Sequence, residues 1–369
     1  MKVLIADKIL PVCAEVLRRA GIEADHRPGI SRDDLLRAVA DVEGIVVRSD
    51  TRIGAEVLQA APRLRVVGRA GAGVDNIDVP AATKRGIVVM NAPGENTISA
   101  AEHTLSLLLA LARQIPQADR SMKAGRWDRG RFLGVELFGK VLGILGLGKV
   151  GREVAARARA FGMEVIAYDP VLSEDVAARL GAALVPIEAV YERSDFISLH
   201  LPLSAGTRHL IGRQELQRCR RGVRILNVAR GGIVDEAALV EGLQSGQVAG
   251  AALDVFETEP PAGSPLLALD SVILTPHLGA STQEAQEKVA VRIAEQIAAY
   301  LKDGLVTNAV NMEGVDPKLL PALAPYRDLC ERLGRLLSSL ARGPVSEVVV
   351  EYSGAVAAKA TAGSCRPVR

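Results

Sequence analysis

Aromatic residues are scarce in this chain. It has one Trp, five Tyr and five Phe, 3% in all, so few ring faces exist on which nucleic-acid bases could stack. An excess of charge of one sign is also missing. The 45 basic and 43 acidic side chains leave a formal charge of +2, and no basic stripe is long enough for a nucleic-acid footprint. Long apolar runs are absent too. A run such as 105–112 falls well short of the ~18 residues of a membrane-spanning helix. Asp7 and Lys8 interrupt the apolar start of the chain, which reads as a first buried strand and not as a secretion signal. The four cysteines, Cys13, Cys219, Cys330 and Cys365, are far apart. That spacing argues against a disulfide framework or a zinc site and for a reducing, cytoplasmic setting. What remains is an ordinary globular balance, 49% apolar and 24% charged. The 369 residues suffice for two domains and an appendage.

The pattern along the chain is α/β. Strands are expected at 3–6, 44–47, 65–67 and 87–90, with helices at 11–20, 32–39 and 55–61 between them. Such alternation implies parallel βαβ units. A long apolar helix over 97–114 and a basic, Gly-rich stretch over 122–134 follow. A second series then sets strands at 141–145, 164–168, 196–200, 223–228, 249–253 and 272–274, with a helix at 149–160. An amphipathic helix over 282–301 closes it, with Val289, Ile293 and Ile297 on one face. The expected fold is therefore two doubly wound parallel-sheet α/β domains. The first is discontinuous, 1–96 with 283–311. The second, 97–282, is of Rossmann type. Residues 312–369 are expected to form a partial α/β extension: helix over 316–342, a strand over 347–352, and a disordered tail.

One glycine motif stands in a specific context. The strand at 141–145 runs directly into Gly146-Leu147-Gly148-Lys149-Val150-Gly151, and a helix starts at about Lys149. Gly146 allows the tight turn, Gly148 leaves room for a pyrophosphate, and Gly151 lets helix and strand pack closely. The phosphates would rest on free N–H groups at the helix N-terminus. Asp169, 18 residues beyond Gly151, is placed to hold ribose hydroxyls. A carboxylate there disfavours a 2′-phosphate, so the expected cofactor is NAD and not NADP.

Three residues follow strands of the second series. Arg230 can grip a carboxylate with its planar fork. His277 can take a hydroxyl proton. Glu259 can orient the imidazole. Together they suit oxidation of a 2-hydroxy acid. Taken singly, each has a bland reading as surface charge, loop carboxylate or core histidine, and sequence alone does not show that they meet.

These residues resemble the D-isomer-specific 2-hydroxyacid dehydrogenases. The resemblance covers about residues 1–312. Its landmarks are Val47-Arg48-Ser49, Gly68-Arg69-Ala70-Gly71-Ala72-Gly73-Val74-Asp75, Leu199-His200-Leu201-Pro202, Asn227-Val228-Ala229-Arg230-Gly231-Gly232 and Thr275-Pro276-His277-Leu278-Gly279. It implies that Arg230, Glu259 and His277 are the catalytic set. It implies an NAD site made by Ala72, Gly146, Gly148, Lys149, Val150, Gly151, Asp169, His200, Pro202, Thr207, Val228, Ala229, Asp254 and Gly279. It also implies a substrate site at Arg48, Ser49, Gly71, Ala72 and Gly73, where backbone N–H groups hold the carboxylate. No metal is expected.

Residues 123–132 look like the branch of this family that interconverts 3-phosphoglycerate and 3-phosphohydroxypyruvate, entering serine biosynthesis. On that reading Arg48, Arg129 and Arg131 are phosphate partners, the basic run reaching a neighbouring subunit. On the other, the basic run is a solvated interface loop. Trp127 reads as a subunit contact. Expected partners are a small 2-hydroxy or 2-oxo acid and a second copy, as homodimer or homotetramer, with no nucleic acid and no membrane. A hydroxypyruvate, glyoxylate or 2-oxoglutarate reductase is the competing enzyme reading, and an NAD(H)-sensing corepressor-like protein is the reading from another class. Long members of the branch carry two further domains, one of them serine-sensing. Residues 328–340 and 345–352 resemble only the start of the first, so insensitivity to serine is expected.

Overall fold

Short runs of Val, Ile and Leu, buried on both faces, build a parallel sheet in each half of the chain. Such strands read as continuous apolar segments because helices cover both sides of the sheet. The computed structural model describes residues 1–312 and 320–340. The chain divides into two units, one of Met1–Glu95 with the chain from Gln286 onward, the other Asn96–Ala285.

In the first unit the strands are β1 (Lys2–Ile5), β2 (Glu23–His26), β3 (Gly44–Val47), β4 (Val66–Arg69) and β5 (Val88–Asn91), in the order β2-β1-β3-β4-β5. Every pair is parallel. The order reverses between β1 and β3, so their carboxyl ends flank a switch point. The helix Gln283–Asp303 lays Val289, Ile293 and Ile297 on the sheet beside Val3, Val46 and Val66. Gly68 permits this close packing. A β-carbon there would lie 2.5 Å from Ile297 Cδ1. The chain then returns along β5, where the Val310 N–H donates to Val89 O at 2.8 Å.

In the second unit the strands are β6 (Val141–Leu145), β7 (Glu164–Tyr168), β8 (Ala183–Leu184), β9 (Phe196–Leu199), β10 (Val223–Asn227), β11 (Val248–Leu253) and β12 (Val272–Leu274). Their order is β12-β11-β10-β9-β6-β7-β8, parallel throughout. The direction of winding reverses between β6 and β9, which makes their carboxyl ends the ligand-binding crevice of such a sheet. The helix Thr97–Arg113 buries Leu105, Leu108 and Leu111 in one core with Val154, Ala158, Leu226 and Ile273.

The elements differ from the sequence reading in a few places. β2 and β8 were not expected. β2 is polar (Glu-Ala-Asp-His) and β8 has only two residues; both are edge strands, where one unpaired side relaxes the apolar requirement. β4 and β5 each begin and end later than expected. The helix expected over 97–114 stops at Arg113, where Gln114 turns left-handed at φ 52°, and a second helix, Ile115–Lys123, follows with Pro116 in its first turn. Within the extension, Leu320–Leu340 is helical. The expected strand over 347–352 and the tail lie outside the described residues. No helix among the described residues is long and apolar enough to cross a membrane.

Candidate active site

The turn after β6 is shaped by three glycines with different neighbours. Gly146 has φ +94°, and a β-carbon there would meet the backbone oxygen of His200 at 2.7 Å. This binds the β6 loop to the β9 loop across the switch point. A β-carbon on Gly151 would lie 2.2 Å from Gly146 O, so the helix Lys149–Ala160 packs directly on the turn. Gly148 is different. It caps that helix without a side chain to satisfy the first-turn N–H groups, and a β-carbon there would meet nothing within 4 Å. The space beside Gly148 therefore fits a ligand and not a protein neighbour. An anion in it would face the first turn of the helix and the positive end of its dipole. Asp169 follows β7 and closes the same turn. Its Oδ2 accepts from the Leu147 N–H at 2.9 Å, and its Oδ1 accepts from Val171 at 3.0 Å and Leu172 at 3.3 Å. These residues fit the adenine-ribose and pyrophosphate half of a dinucleotide.

Across the crevice lies His200, at the end of β9. Its Nε2 is 2.8 Å from Ser198 Oγ, and burial pushes its pKa down to about 4. Thr207 folds the loop that follows. Its hydroxyl donates to Pro202 O at 2.6 Å and accepts from the Ser204 N–H at 2.8 Å.

Arg230, Glu259 and His277 lie in the loops after β10, β11 and β12, three neighbours in the sheet. Asn227 orders the first loop. It accepts from the Ala229 N–H at 3.0 Å and donates to Arg230 O at 2.8 Å. The Arg230 guanidinium donates to Ala229 O at 2.6 Å. Gly231 packs so tightly on the second loop that a β-carbon would stand 1.7 Å from Phe256 O. The Phe256 N–H in turn donates to Glu259 Oε1 at 3.2 Å, and Glu259 Oε2 accepts from His277 Nδ1 at 2.8 Å. One connected path thus joins the Arg230 loop to the imidazole. Burial works to raise the Glu259 pKa, but the hydrogen bond and charge of His277 and the Phe256 N–H outweigh it and hold the group below the ordinary carboxylate range. An ionised carboxylate is acceptor only, so Nδ1 carries a proton toward Glu259 and Nε2 is the ring nitrogen that Glu259 leaves free.

His277 has φ +54°, a left-handed conformation that costs a non-glycine residue about 1 kcal/mol. Asp254 supports it. The Asp254 backbone oxygen accepts from the His277 N–H at 2.9 Å. Its buried carboxylate accepts from the N–H groups of Leu278 at 2.7 Å and Gly279 at 2.8 Å, from Thr275 Oγ1 at 2.5 Å, and from His103 Nε2 at 3.1 Å. Burial opposes ionisation of Asp254, yet the hydrogen bonds from His103, Thr275 and the two amides hold its pKa below the ordinary value. Val228 bounds this loop; its Cγ1 would lie 3.1 Å from a β-carbon on Gly279. The sequence reading missed Asn227 and Thr275 as ordering residues, along with His103 and Ser99 on the helix Thr97–Arg113. The available signal for the last two was a pair of polar residues four apart, on one face of the helix Thr97–Arg113.

The first unit holds the expected substrate-side residues at 48–49 and 71–73. Arg48 and Ser49 follow β3 at the switch point. There the buried Asp7 carboxylate accepts from the Arg48 N–H at 2.5 Å and from Thr51. Gly71, Ala72 and Gly73 follow β4, and Asn91 donates to Ala72 O at 2.6 Å. Arg129 and Arg131 form a single 3-10 turn of the second unit. Arg131 pairs at 3.4 Å with Asp270, which precedes β12. It therefore sits at the amino ends of the strands, opposite the edge that carries Arg230 and His277. One chain does not bring Arg131 to its own His277 loop. Among the described residues no cluster of His, Cys, Asp or Glu could hold a metal ion.

The family described as D-isomer specific 2-hydroxyacid dehydrogenase, NAD binding domain, matches residues 105–279. The chain is 49% identical to a D-3-phosphoglycerate dehydrogenase of Archaeoglobus fulgidus over 362 residues, covering 98% of this chain and 69% of that protein. It is 47% identical to the D-3-phosphoglycerate dehydrogenase of Rattus norvegicus, covering 99% and 68%. The crystal structure of a glyoxylate reductase from Paecilomyes thermophila is similar at 34% identity with a TM-score of 0.77, covering 84% of this chain and 98% of that one.

Proposed function

The chain belongs to the D-isomer-specific 2-hydroxyacid dehydrogenases, and on that premise we propose that it interconverts D-3-phosphoglycerate and 3-phosphohydroxypyruvate with NAD, as the first step of serine biosynthesis. The observation that carries the chemistry is the 2.8 Å bond from His277 Nδ1 to Glu259, in loops adjoining that of Arg230. It leaves Nε2 as the base. In the oxidising direction Arg230 holds the substrate carboxylate and polarises the C2 oxygen. His277 Nε2 accepts the hydroxyl proton as C2 becomes a carbonyl. Glu259 stays ionised and stabilises the imidazolium that results. NAD, when bound, supplies the hydride acceptor. Gly146, Gly148, Lys149, Val150 and Gly151 would hold its phosphates, and Asp169 its ribose hydroxyls. Ala72, His200, Pro202, Thr207, Val228, Ala229, Asp254 and Gly279 are assigned to the same cofactor by family resemblance.

On the substrate side we assign the backbone N–H groups at Gly71, Ala72 and Gly73 to the carboxylate, and Arg48 and Ser49 to the rest of the molecule. Arg129 and Arg131 serve the phosphate only in the site of a second copy. Two observations favour a homodimer or homotetramer of that kind. Arg131 stands at the sheet edge away from its own His277 loop. The surrounding segment also exposes Trp127 (73%), Leu133 (87%) and Phe138 (79%), an apolar surface of the sort that mates with another chain. A cytoplasmic setting fits the unpaired thiols of Cys13 and Cys219, which burial pushes up to about 12 and so renders inert.

The test is a panel of 2-oxo acids with NADH and the purified full chain. Turnover of 3-phosphohydroxypyruvate is expected. Tight NADH binding with no turnover of any member would replace this reading with that of an NAD(H)-sensing protein.

A further inference from the structure

The helix Thr97–Arg113 reaches the catalytic loop through two polar side chains. Ser99 is buried, and its hydroxyl donates to Gly279 O at 2.9 Å. His103, one turn along, lies 3.1 Å from both Asp254 Oδ1 and Thr275 Oγ1. Residues four apart share one face of a helix, so both donors project to the same side. Carboxylate oxygens only accept, which fixes the proton of His103 on Nε2.

What the pair holds is specific. The Asp254 carboxylate that receives His103 is also the acceptor for the Leu278 and Gly279 amides, the two residues after His277. The Ser99 hydroxyl fixes the carbonyl of that same Gly279. His277 sits at a positive φ between these bonds and its own N–H bond to Asp254 O. Thr275, which His103 also meets, begins the loop. Besides the Thr275 N–H bond to Leu253 O and the His277 bond to Glu259, the anchors of the loop from 275 to 279 thus run to Asp254 or to the helix face. His103 is the side chain that ties the Asp254 carboxylate to a rigid element outside the strand ends.

We infer that Ser99 and His103 are positioning residues, a two-point clamp by which the helix Thr97–Arg113 fixes the loop that carries the catalytic His277. Neither is a catalytic residue; each acts through Asp254 or Gly279. A site held to a fraction of an ångström loses turnover when its supporting shell loosens, while ground-state affinity changes little. His103 should therefore be read out in kcat and in the local opening of the loop, and hardly in KM.

The test compares His103→Leu with His103→Gln, whose amide can donate from a position near that of Nε2. Two readouts are taken on the full chain: steady-state kinetics with NADH and the best 2-oxo acid of the panel, and amide hydrogen exchange at Leu278 and Gly279. In His103→Leu, kcat should fall about tenfold with KM within twofold, and exchange at the two amides should quicken about tenfold. His103→Gln should recover most of both. Unchanged exchange and kcat in His103→Leu would overturn the clamp. So would losses that His103→Gln shares fully, since these would mark a packing role for the ring. If His103→Leu does not fold, Ser99→Ala carries the same comparison, with a loss of about threefold in kcat expected and no change in either readout refuting the inference. The kinetic arm rests on the dehydrogenase reading. The exchange arm does not, so a chain that turns over nothing still decides the clamp.

Discussion

A methyl group added at Gly151 would press on Gly146 O at 2.2 Å, whereas one added at Gly148 would meet open space. The two glycines of one motif thus answer to different demands, the first to the fold and the second to a ligand. Gly151→Ala should lose roughly 2–4 kcal/mol of stability, as overpacking against backbone does. Gly148→Ala should cost only about 1 kcal/mol, the difference between Gly and Ala at a helix N-cap whose extended backbone (φ −71°) any residue can adopt. It should nonetheless weaken NADH binding at least tenfold in a fluorescence titration, since its methyl would occupy the phosphate's place. Undiminished NADH affinity in Gly148→Ala would remove the pyrophosphate from this turn. His200 gives a second prediction at the same scale. Burial lowers its pKa to about 4, below the ~6.5 of an unfolded chain. The folded state therefore binds fewer protons, and the contribution to stability is full above about pH 6.5 and lost as pH falls toward 4. Between pH 7 and pH 5 the parent should lose about 2 kcal/mol more than His200→Gln, measured by urea unfolding. Parallel losses in the two proteins would show that His200 titrates normally.

At the scale of elements, legibility followed burial. Strands such as β3 and β6, enclosed on both faces, announce themselves as runs of Val, Ile and Leu. The motif after β6 was readable because strand, glycines and helix follow one another in sequence. Edge strands escaped for the same reason in reverse. Glu23–His26 pairs on one side only and needs no apolar run. The break at Gln114 was hidden because one left-handed residue joins two good helices. In the site, Arg230, Glu259 and His277 could be proposed from their places after strands, but their convergence depends on the order β12-β11-β10, which is tertiary. The clamp was less visible still. His103 and Asp254 are 151 residues apart, and a polar residue on a helix does not name its distant partner. The position of Arg131 beside Asp270 was equally out of reach, since nothing local in either segment says which edge of the sheet it occupies.

At the scale of the whole molecule, two parallel-sheet units with separate cores divide the labour of one chain. The second unit contains the glycine turn, the paired His277 and Glu259, and Arg230; the first presents the loops after β3 and β4. The nicotinamide chemistry is common to the family, so the substrate's far end is what distinguishes this enzyme from its reductase relatives. A guanidinium fork on a phosphate adds roughly 1.5–3 kcal/mol per charged hydrogen bond, and two such bonds make about a hundredfold or more in discrimination. The most direct measurement is the ratio of kcat/KM for 3-phosphohydroxypyruvate to that for hydroxypyruvate, both with NADH. The phosphorylated acid should win by at least about a hundredfold. A ratio near one, or a preference for the unphosphorylated acid, would contradict the assignment to D-3-phosphoglycerate.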